Sequence, residues 1–576
     1  MSKRKLLSII ILLVFVTTLV GCGNTAKPPV EENKVEKKVE KSIDLNRDAI
    51  GENGVVSAAK PEASEVGVEI LKKGGNAIDA AVATAFAIGV VEPNASGLGG
   101  GGFMLIRYAD TGEEVFLDFR EVAPKNATPG MYELDENGRP INEASTLGGK
   151  SVAVPGEIAG LLMALEKYGT MTREEVLQPA IDLAENGFVV SKNFSRIMGE
   201  NIGRINSFEA TKEIYLKNGL PYEEGDIFTN KDLANTLKKI AKEGKDAFYK
   251  GEIAKAIVDE VQRTGGIMTL EDLENYEVKV RKPVKGTYRG YEIVSVPPSS
   301  SGGTHLVQLL NILENFNLRD LGHNTTDSIH VWSEAIKLMF ADRDKYMADT
   351  DFVDVPLTGL ISKDYAKELY KKIDMNKSAQ DVKAGNPYKY ESGSTTHFSV
   401  MDKEGNMVAV TQTINYYFGS GVTVPGTGIL LNNQMDDFEV KPGCSNSIEP
   451  GKRPLSSMTP TLVIKDGKPF MTLGSPGATR IITTVAQVIS NIIDYDMDIQ
   501  EAINVPRMYD RRGELKLEGR FDKKTVEELE SRGHYVEVSD KDYDGDFGAV
   551  QGVMFDKSGK LHGGADPRLD GKAAAY

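Results

Sequence analysis

The sequence predicts a mixed α/β protein of the α+β kind, on three observations. Two alternating, β-branched runs flank Asp402-Lys403-Glu404-Gly405-Asn406, which carries the chemistry of a bulged hairpin turn. From Gly156 to about Asn275 the patterning is helical. The last sixty residues are strand-rich, with short apolar runs separated by Gly and Asp.

Taken in order, the chain opens with Lys3-Arg4-Lys5 and the largely apolar run Leu6 to Val20, the pattern of a secretory signal over residues 1–21. Leu19-Val-Gly-Cys22 resembles a bacterial lipoprotein box, which implies cleavage before Cys22, lipid on its sulfur and anchoring at the outer face of the cell membrane. Residues 22–45 hold Pro28-Pro29 and a Glu/Lys tract with little to bury, the composition of a tether. The rest is ordinary globular sequence: 40% hydrophobic and 26% charged residues overall. A net charge of −16 with no basic stripe argues against a nucleic-acid partner. The two cysteines, Cys22 and Cys444, offer no intrachain disulfide once the first is lipidated.

Pro61 to Ile88 reads as a helix pair broken at Gly74-Gly75. The run Gly97-Leu-Gly-Gly-Gly-Gly102 precedes a strand, Phe103 to Tyr108, instead of joining a strand to a helix. That context excludes a dinucleotide fingerprint and suits close backbone packing. Asp118-Phe-Arg120-Glu121 ends another strand, and a strand-end arginine by itself is a surface ion-pair partner. Helices are predicted over Glu157 to Tyr168, Arg173 to Asn186, Asn230 to Glu243 and Gly251 to Thr264, with a capping box at Thr269. Tyr276 to Val296 is strand-like, and Pro297-Pro-Ser-Ser-Ser-Gly-Gly303 turns into a helix from Thr304 to Phe316; a second helix runs from Asp327 to Met347. His305, His323 and His330 lack metal-ligand partners at suitable spacing and read as structural; no metal or cofactor is expected. Farther on come Ile429-Leu-Leu431, the polar cluster Asn432-Asn-Gln-Met-Asp-Asp437, a turn at Lys452-Arg-Pro-Leu-Ser456-Ser457, and the tight loop Gly474-Ser-Pro-Gly477-Ala478 before a helix from Ile481 to Ile493. The cluster suits an ammonium pocket better than a calcium loop, whose regular alternation and terminal Glu are absent. Strands are expected at Leu515 to Leu517, Tyr535 to Val538, Gly548 to Phe555 and Gly563 to Arg568.

The hairpin carries the chemistry. With Asp402 paired to Asn406, the register sets Thr395 directly opposite Thr413, just after Ser392-Gly393-Ser394. Ordinary cross-strand packing of β-branched residues accounts for such a pair. A cut between Ser394 and Thr395 would give it another use: Thr395 would own both a hydroxyl and an α-amine titrating at about 7.7 to 8.0, so the chain would carry its own general base.

Thr395-Thr-His-Phe-Ser-Val, Gly428-Ile-Leu-Leu-Asn-Asn-Gln-Met-Asp-Asp-Phe438, Lys452-Arg-Pro-Leu-Ser-Ser-Met-Thr-Pro460 and Gly474-Ser-Pro-Gly-Ala478 stand in the order and spacing of the γ-glutamyltranspeptidases. From about residue 48 to Tyr576 the chain resembles that family of N-terminal-nucleophile hydrolases. The resemblance implies a four-layer αββα sandwich and a precursor that cuts itself into a large chain, 46–394, and a small catalytic chain, 395–576. It implies Thr395 as nucleophile and Thr413 as its orienting partner. Arg120, Ser456 and Ser457 would hold the α-carboxylate, Asn415, Gln434 and Asp437 the α-amine, and the N–H groups of Gly477 and Ala478 an oxyanion. The family usually has two glycines there; Ala478 would be strained if the position needs positive φ. Implied donors are glutathione and other γ-glutamyl compounds, with water, amino acids or dipeptides as acceptors. Only eighteen residues separate Asp437 from Ser456, which suggests an open site able to take polymeric donors. The rivals are a poly-γ-glutamate depolymerase of the same fold, a cephalosporin-type acylase and, from another class, a non-catalytic binding lipoprotein.

Overall fold

The computed structural model describes residues 43–383, 394–511 and 513–576. The expected signal peptide, Cys22, the tether up to residue 42 and Glu391 to Gly393 lie outside the described residues, as does the side chain of Ser394. Among the described residues no helix is long and apolar enough to cross a membrane.

From Asp44 to Tyr576 the chain forms one unit built on two seven-stranded sheets, antiparallel throughout. One runs Lys572–Ala575, Gly54–Ala58, Ser394–Asp402, Met407–Asn415, Gly101–Arg107, Glu114–Phe119, Lys279–Arg281. The other runs Ala49–Gly51, Leu561–Ala565, Gln551–Phe555, Lys468–Gly474, Thr461–Lys465, Tyr291–Ser295, Val284–Tyr288. Their inner faces pack on each other, and helices cover each outer face, so the order of layers is αββα. The period-two alternation of a strand sorts its residues between two cores. Phe398, Val400, Val408 and Val410 join the helices Pro61–Lys72, Ala77–Val91 and Glu157–Tyr168, whereas Met401, Met407 and Ala409 enter the inter-sheet core. That second core continues through the other sheet to the helices Gly302–Leu313, Thr326–Tyr346 and Arg480–Tyr495. Every residue of Met407–Asn415 is buried, so this strand is covered on both faces.

Local chemistry explains the elements that frame the site. The hairpin closes through Asp402 N–H to the Asn406 carbonyl at 3.3 Å, with Gly405 at φ +87°. From Thr396 opposite Gln412 to Met401 opposite Met407 the register is the predicted one. It shifts between Ser394 and Thr396, and Ser394 lies across from Asn415. Thr395 therefore stands alone opposite two residues, Thr413 and Ile414, and not in a regular pair with Thr413, a correction to the sequence reading. The extra residue lies on the Met407–Asn415 strand, and such a bulge locally breaks the ladder and re-aims the side chains beside it.

The glycine run backs this strand pair. A Cβ on Gly100 would stand 2.1 Å from the Thr413 carbonyl oxygen, and one on Gly102 would stand 2.4 Å from that of Thr411. Backbone packing of that closeness is open only to glycine. The helix pair is Pro61–Lys72 and Ala77–Val91; Asn76 caps the second in a reciprocal box with Asp79. At the C-terminal end the expected strand Gly563 to Arg568 is instead Leu561–Ala565. Asp566 and Arg568 leave the ladder to pair with Arg507 and Glu518, each at 2.6 Å, because buried charges must find partners.

Candidate active site

The end of the hairpin opens into a cavity lined by residues from six separate stretches of chain. Thr395 donates its hydroxyl to Thr413 Oγ1 at 3.4 Å, and Thr413 Oγ1 in turn accepts the Asn415 N–H at 2.8 Å. Asn415 has φ +76°, and its Nδ2 donates one proton to the Asn433 carbonyl at 3.1 Å, which fixes the amide and leaves its oxygen as an acceptor for a ligand. Gln434 donates Nε2 to Asp437 Oδ2, while its buried Oε1 has no hydrogen-bond partner among the described residues. Two amide oxygens and a carboxylate thus line one wall, all acceptors.

Arg120 stands just past the strand Glu114–Phe119 and is almost wholly buried, so its role as a surface partner falls away. It donates to Asp437 Oδ2 at 2.5 Å and to the carbonyls of Pro454 and Leu455 at 3.3 and 3.2 Å. Tyr276 Oη donates to its carbonyl at 2.8 Å. The adjacent Glu121 is 3.7 Å from Arg120 Nη1, yet burial pushes its carboxyl up to about 7 against the pull of that guanidinium. Asp437, at 2.5 Å, is the closer carboxylate partner of Arg120.

Ser456 and Ser457 close the far side. The Ser456 hydroxyl accepts the Met458 N–H at 3.1 Å, and the Ser457 hydroxyl accepts Arg343 Nη2 at 2.8 Å. Ala478 completes the lining, with φ +53°, so the strain expected there is present. No described residue accepts a hydrogen bond from the N–H of Gly477 or Ala478. The cavity brings together Arg120, Thr395, Thr413, Asn415, Gln434, Asp437, Ser456, Ser457 and Ala478. Gly477 is the exception among the predicted residues: it lines a neighbouring cavity of about 370 Å³ that also reaches Thr395. The inner cavity measures only about 30 Å³, room for about two waters, because Arg120 and Asp437 close on each other across it.

Three residues escaped the sequence reading. Met458 and Ile481 line the cavity, and Arg343 reaches it from the helix Thr326–Tyr346. No spacing rule links Arg343 to Ser457, 114 positions away. The histidines need a correction too: folding brings His330, Glu334 and His534 together, with ligand atoms within 4.8 Å. Their polar atoms are already engaged. His330 contacts the Asp374 carbonyl at 2.8 Å and His534 Nε2 at 2.7 Å, and Glu334 accepts Lys337 Nζ at 2.8 Å. That ammonium disfavours a second cation at the same carboxylate.

An αββα sandwich in which an inner strand, Ser394–Asp402, carries a threonine at its second position, beside a second threonine and a charged cleft, defines the N-terminal nucleophile hydrolase class. Comparison with known proteins narrows the class. The family model Gamma-glutamyltranspeptidase matches residues 63–576. The glutathione hydrolase proenzyme of Escherichia coli (strain K12) is 44% identical over 541 residues, covering 91% of this chain and 92% of that protein. The glutathione hydrolase proenzyme of Bacillus subtilis (strain 168) is 42% identical over 558 residues, covering 93% and 94%. The solved structure of cephalosporin acylase from Bacillus halodurans superposes with a TM-score of 0.83 at 29% identity, covering 97% of this chain and 99% of that one. The chain belongs to the γ-glutamyltranspeptidase family.

Proposed function

We propose that this protein is a γ-glutamyltranspeptidase with glutathione hydrolase activity, made as a precursor that cuts itself between Ser394 and Thr395. In this reading residues 46–394 and 395–576 become the large and small chains. The freed α-amine of Thr395 accepts the hydroxyl proton, and the hydroxyl attacks the γ-amide carbonyl of glutathione or another γ-glutamyl donor. Thr413 Oγ1, fixed by the Asn415 N–H on one lone pair, faces that hydroxyl with the other and orients it toward the amine. The N–H groups of Gly477 and Ala478 receive the developing oxyanion. Water, an amino acid or a dipeptide then takes the glutamyl group from the ester. Residues 1–21 and Cys22 suit export and a lipid anchor on the outer face of the membrane.

The observation that carries the reading is the charge pattern at the nucleophile: a guanidinium and a carboxylate 2.5 Å apart, flanked by two serine hydroxyls and two amide oxygens. A glutamyl head group presents an ammonium and a carboxylate on one carbon. Inserted between Arg120 and Asp437, it replaces one internal ion pair with two charge-assisted contacts, which favours donors carrying both charges over acyl groups lacking the amine. The test is a denaturing gel with N-terminal sequencing of the smaller band, beside turnover of γ-glutamyl-p-nitroanilide. We expect two bands, the smaller starting at Thr395, and one inactive band for Thr395→Ala. A fully active, unbroken chain would end the proposal.

A further inference from the structure

The loop Pro297–Gly303 plays no part in the chemistry above, yet it grips the two serines of the cavity. Ser301 donates both its N–H and its hydroxyl to the Ser456 carbonyl, at 2.8 and 2.7 Å. The Ser456 N–H returns a bond to the Ser299 carbonyl at 3.1 Å, and Ser300 Oγ donates to the Met458 carbonyl at 2.7 Å. One guanidinium ties the arrangement together. Arg343 donates Nε to Ser301 Oγ and Nη2 to Ser457 Oγ, each at 2.8 Å, from a side chain that is 2% exposed.

From this geometry we infer that Arg343 is a positioning and specificity-determining residue of the subsite that receives the substrate's α-carboxylate; the inference rests on reading the cavity as a γ-glutamyl site. An arginine has donors only, so the oxygen of Ser457 must act as acceptor toward it. That contact takes one lone pair of Ser457 and turns its proton away from the guanidinium. The Met458 N–H imposes the same polarity on Ser456. Each oxygen thus faces a donor, which turns both hydroxyl protons to the other side, the sense in which an anionic carboxylate can receive them. Asp344, 3.6 Å from Nη1, offsets part of the charge of the guanidinium. The planar fork lets one side chain address Ser301 and Ser457 together, and a lysine ammonium cannot reproduce that two-point geometry.

The test compares two donors on processed enzyme: γ-glutamyl-p-nitroanilide and its analogue with the α-carboxylate converted to a carboxamide. Arg343→Gln is expected to raise KM for the acid donor by about 10- to 30-fold with kcat within about threefold, since binding is lost and not chemistry. The preference for acid over amide, as a ratio of kcat/KM, should fall by a similar factor. Arg343→Lys should lie between, its charge kept and its fork lost. Self-cleavage into two chains serves as the check on folding. Should Arg343→Gln fail it, Arg343→Lys and Ser301→Ala carry the same ratio, with falls of about three- to tenfold expected. A ratio unchanged in variants that fold and cleave overturns the inference. Wild-type protein that leaves γ-glutamyl-p-nitroanilide untouched overturns the underlying reading of the site instead, so the two failures are distinct.

Discussion

Ala478 stands at φ +53°, where a Cβ crowds the following carbonyl. Replacing it by glycine removes a strain of about 1–2 kcal/mol while adding chain entropy to the unfolded state, so a net stabilisation of up to about 1 kcal/mol is expected. The melting temperature of Ala478→Gly should rise by a few degrees at most, with turnover kept or increased; a tenfold loss of kcat would show that the methyl group itself matters. Asp437 is the opposite case, a residue whose charge is the point. In Asp437→Asn, Arg120 loses its closer carboxylate partner and the incoming ammonium its counter-charge, a loss of roughly 3 kcal/mol. That corresponds to about 100-fold in kcat/KM, carried mainly by KM. Donors lacking the α-amine should change far less, and equal losses on both would sink the assignment. Thr395 was legible because its evidence is local: a five-residue turn sets a register that holds to Thr396, its neighbour. The slip opposite it was not, since neither Thr413 nor Ile414 is a residue type that marks a bulge.

Elements with a strong period and their own caps were readable one by one, and the structure returns Glu157–Tyr168 and Arg173–Asn186 at their predicted bounds. The short helices between Lys192 and Tyr215 carry too few turns to show a period, and they pack through contacts distant in sequence. The same holds for the site. Arg120, Asp437 and Ser457 meet only when the sheets are assembled, so composition alone left Arg120 as a surface arginine and Ser456-Ser457 as a turn, and only the family resemblance placed them together. The glycine run illustrates what an element's packing demands. In Gly100→Ala the new methyl group meets the Thr413 carbonyl at 2.1 Å, a backbone atom that can yield only if the whole strand moves. Displacing that strand moves the Thr413 hydroxyl, and a shift near 1 Å at a reacting centre costs about 100-fold. Self-cleavage, followed on a denaturing gel over time, should slow by at least about tenfold. Gly199→Ala, on an open helical surface with nothing within 4 Å, should cleave like wild type. Equal rates for the two variants would separate the glycine run from the site.

Across the whole molecule, the two sheets meet through apolar residues at one end and through a polar seam near the nucleophile. His397 contributes a ring to that seam, 2.8 Å from Thr411 Oγ1 and 3.1 Å from Ser399 Oγ, with its face against Gly474 of the opposite sheet. A Cβ at Gly474 would fall 2.4 Å from the ring, so the two sheets are fitted to each other at this point. Burial without a counter-charge pushes the imidazole down to about 3, whereas an unfolded histidine titrates near 6.5. The sign follows directly. Between those values the unfolded chain binds a proton that the folded chain refuses, so unfolding takes up a proton and acid favours it. The contribution of His397 is complete above about pH 6.5 and falls by about 1.4 kcal/mol per pH unit below it, down to about pH 3. Raised carboxyls such as Glu121 contribute the opposite slope between about pH 4.5 and 7, so the wild-type curve alone cannot isolate the histidine. The difference between two proteins can. In a Thr395→Ala background, which stays a single chain in the proposed mechanism, His397→Gln should alter stability by some constant amount above pH 7. Below pH 6 the variant should lose less than its parent, by about 1.4 kcal/mol for each unit of acidification. Urea midpoints and slopes collected from pH 7.5 to pH 4 read this difference, and parallel curves would mean that the ring accepts its proton inside the fold, with the seam between the sheets open to water.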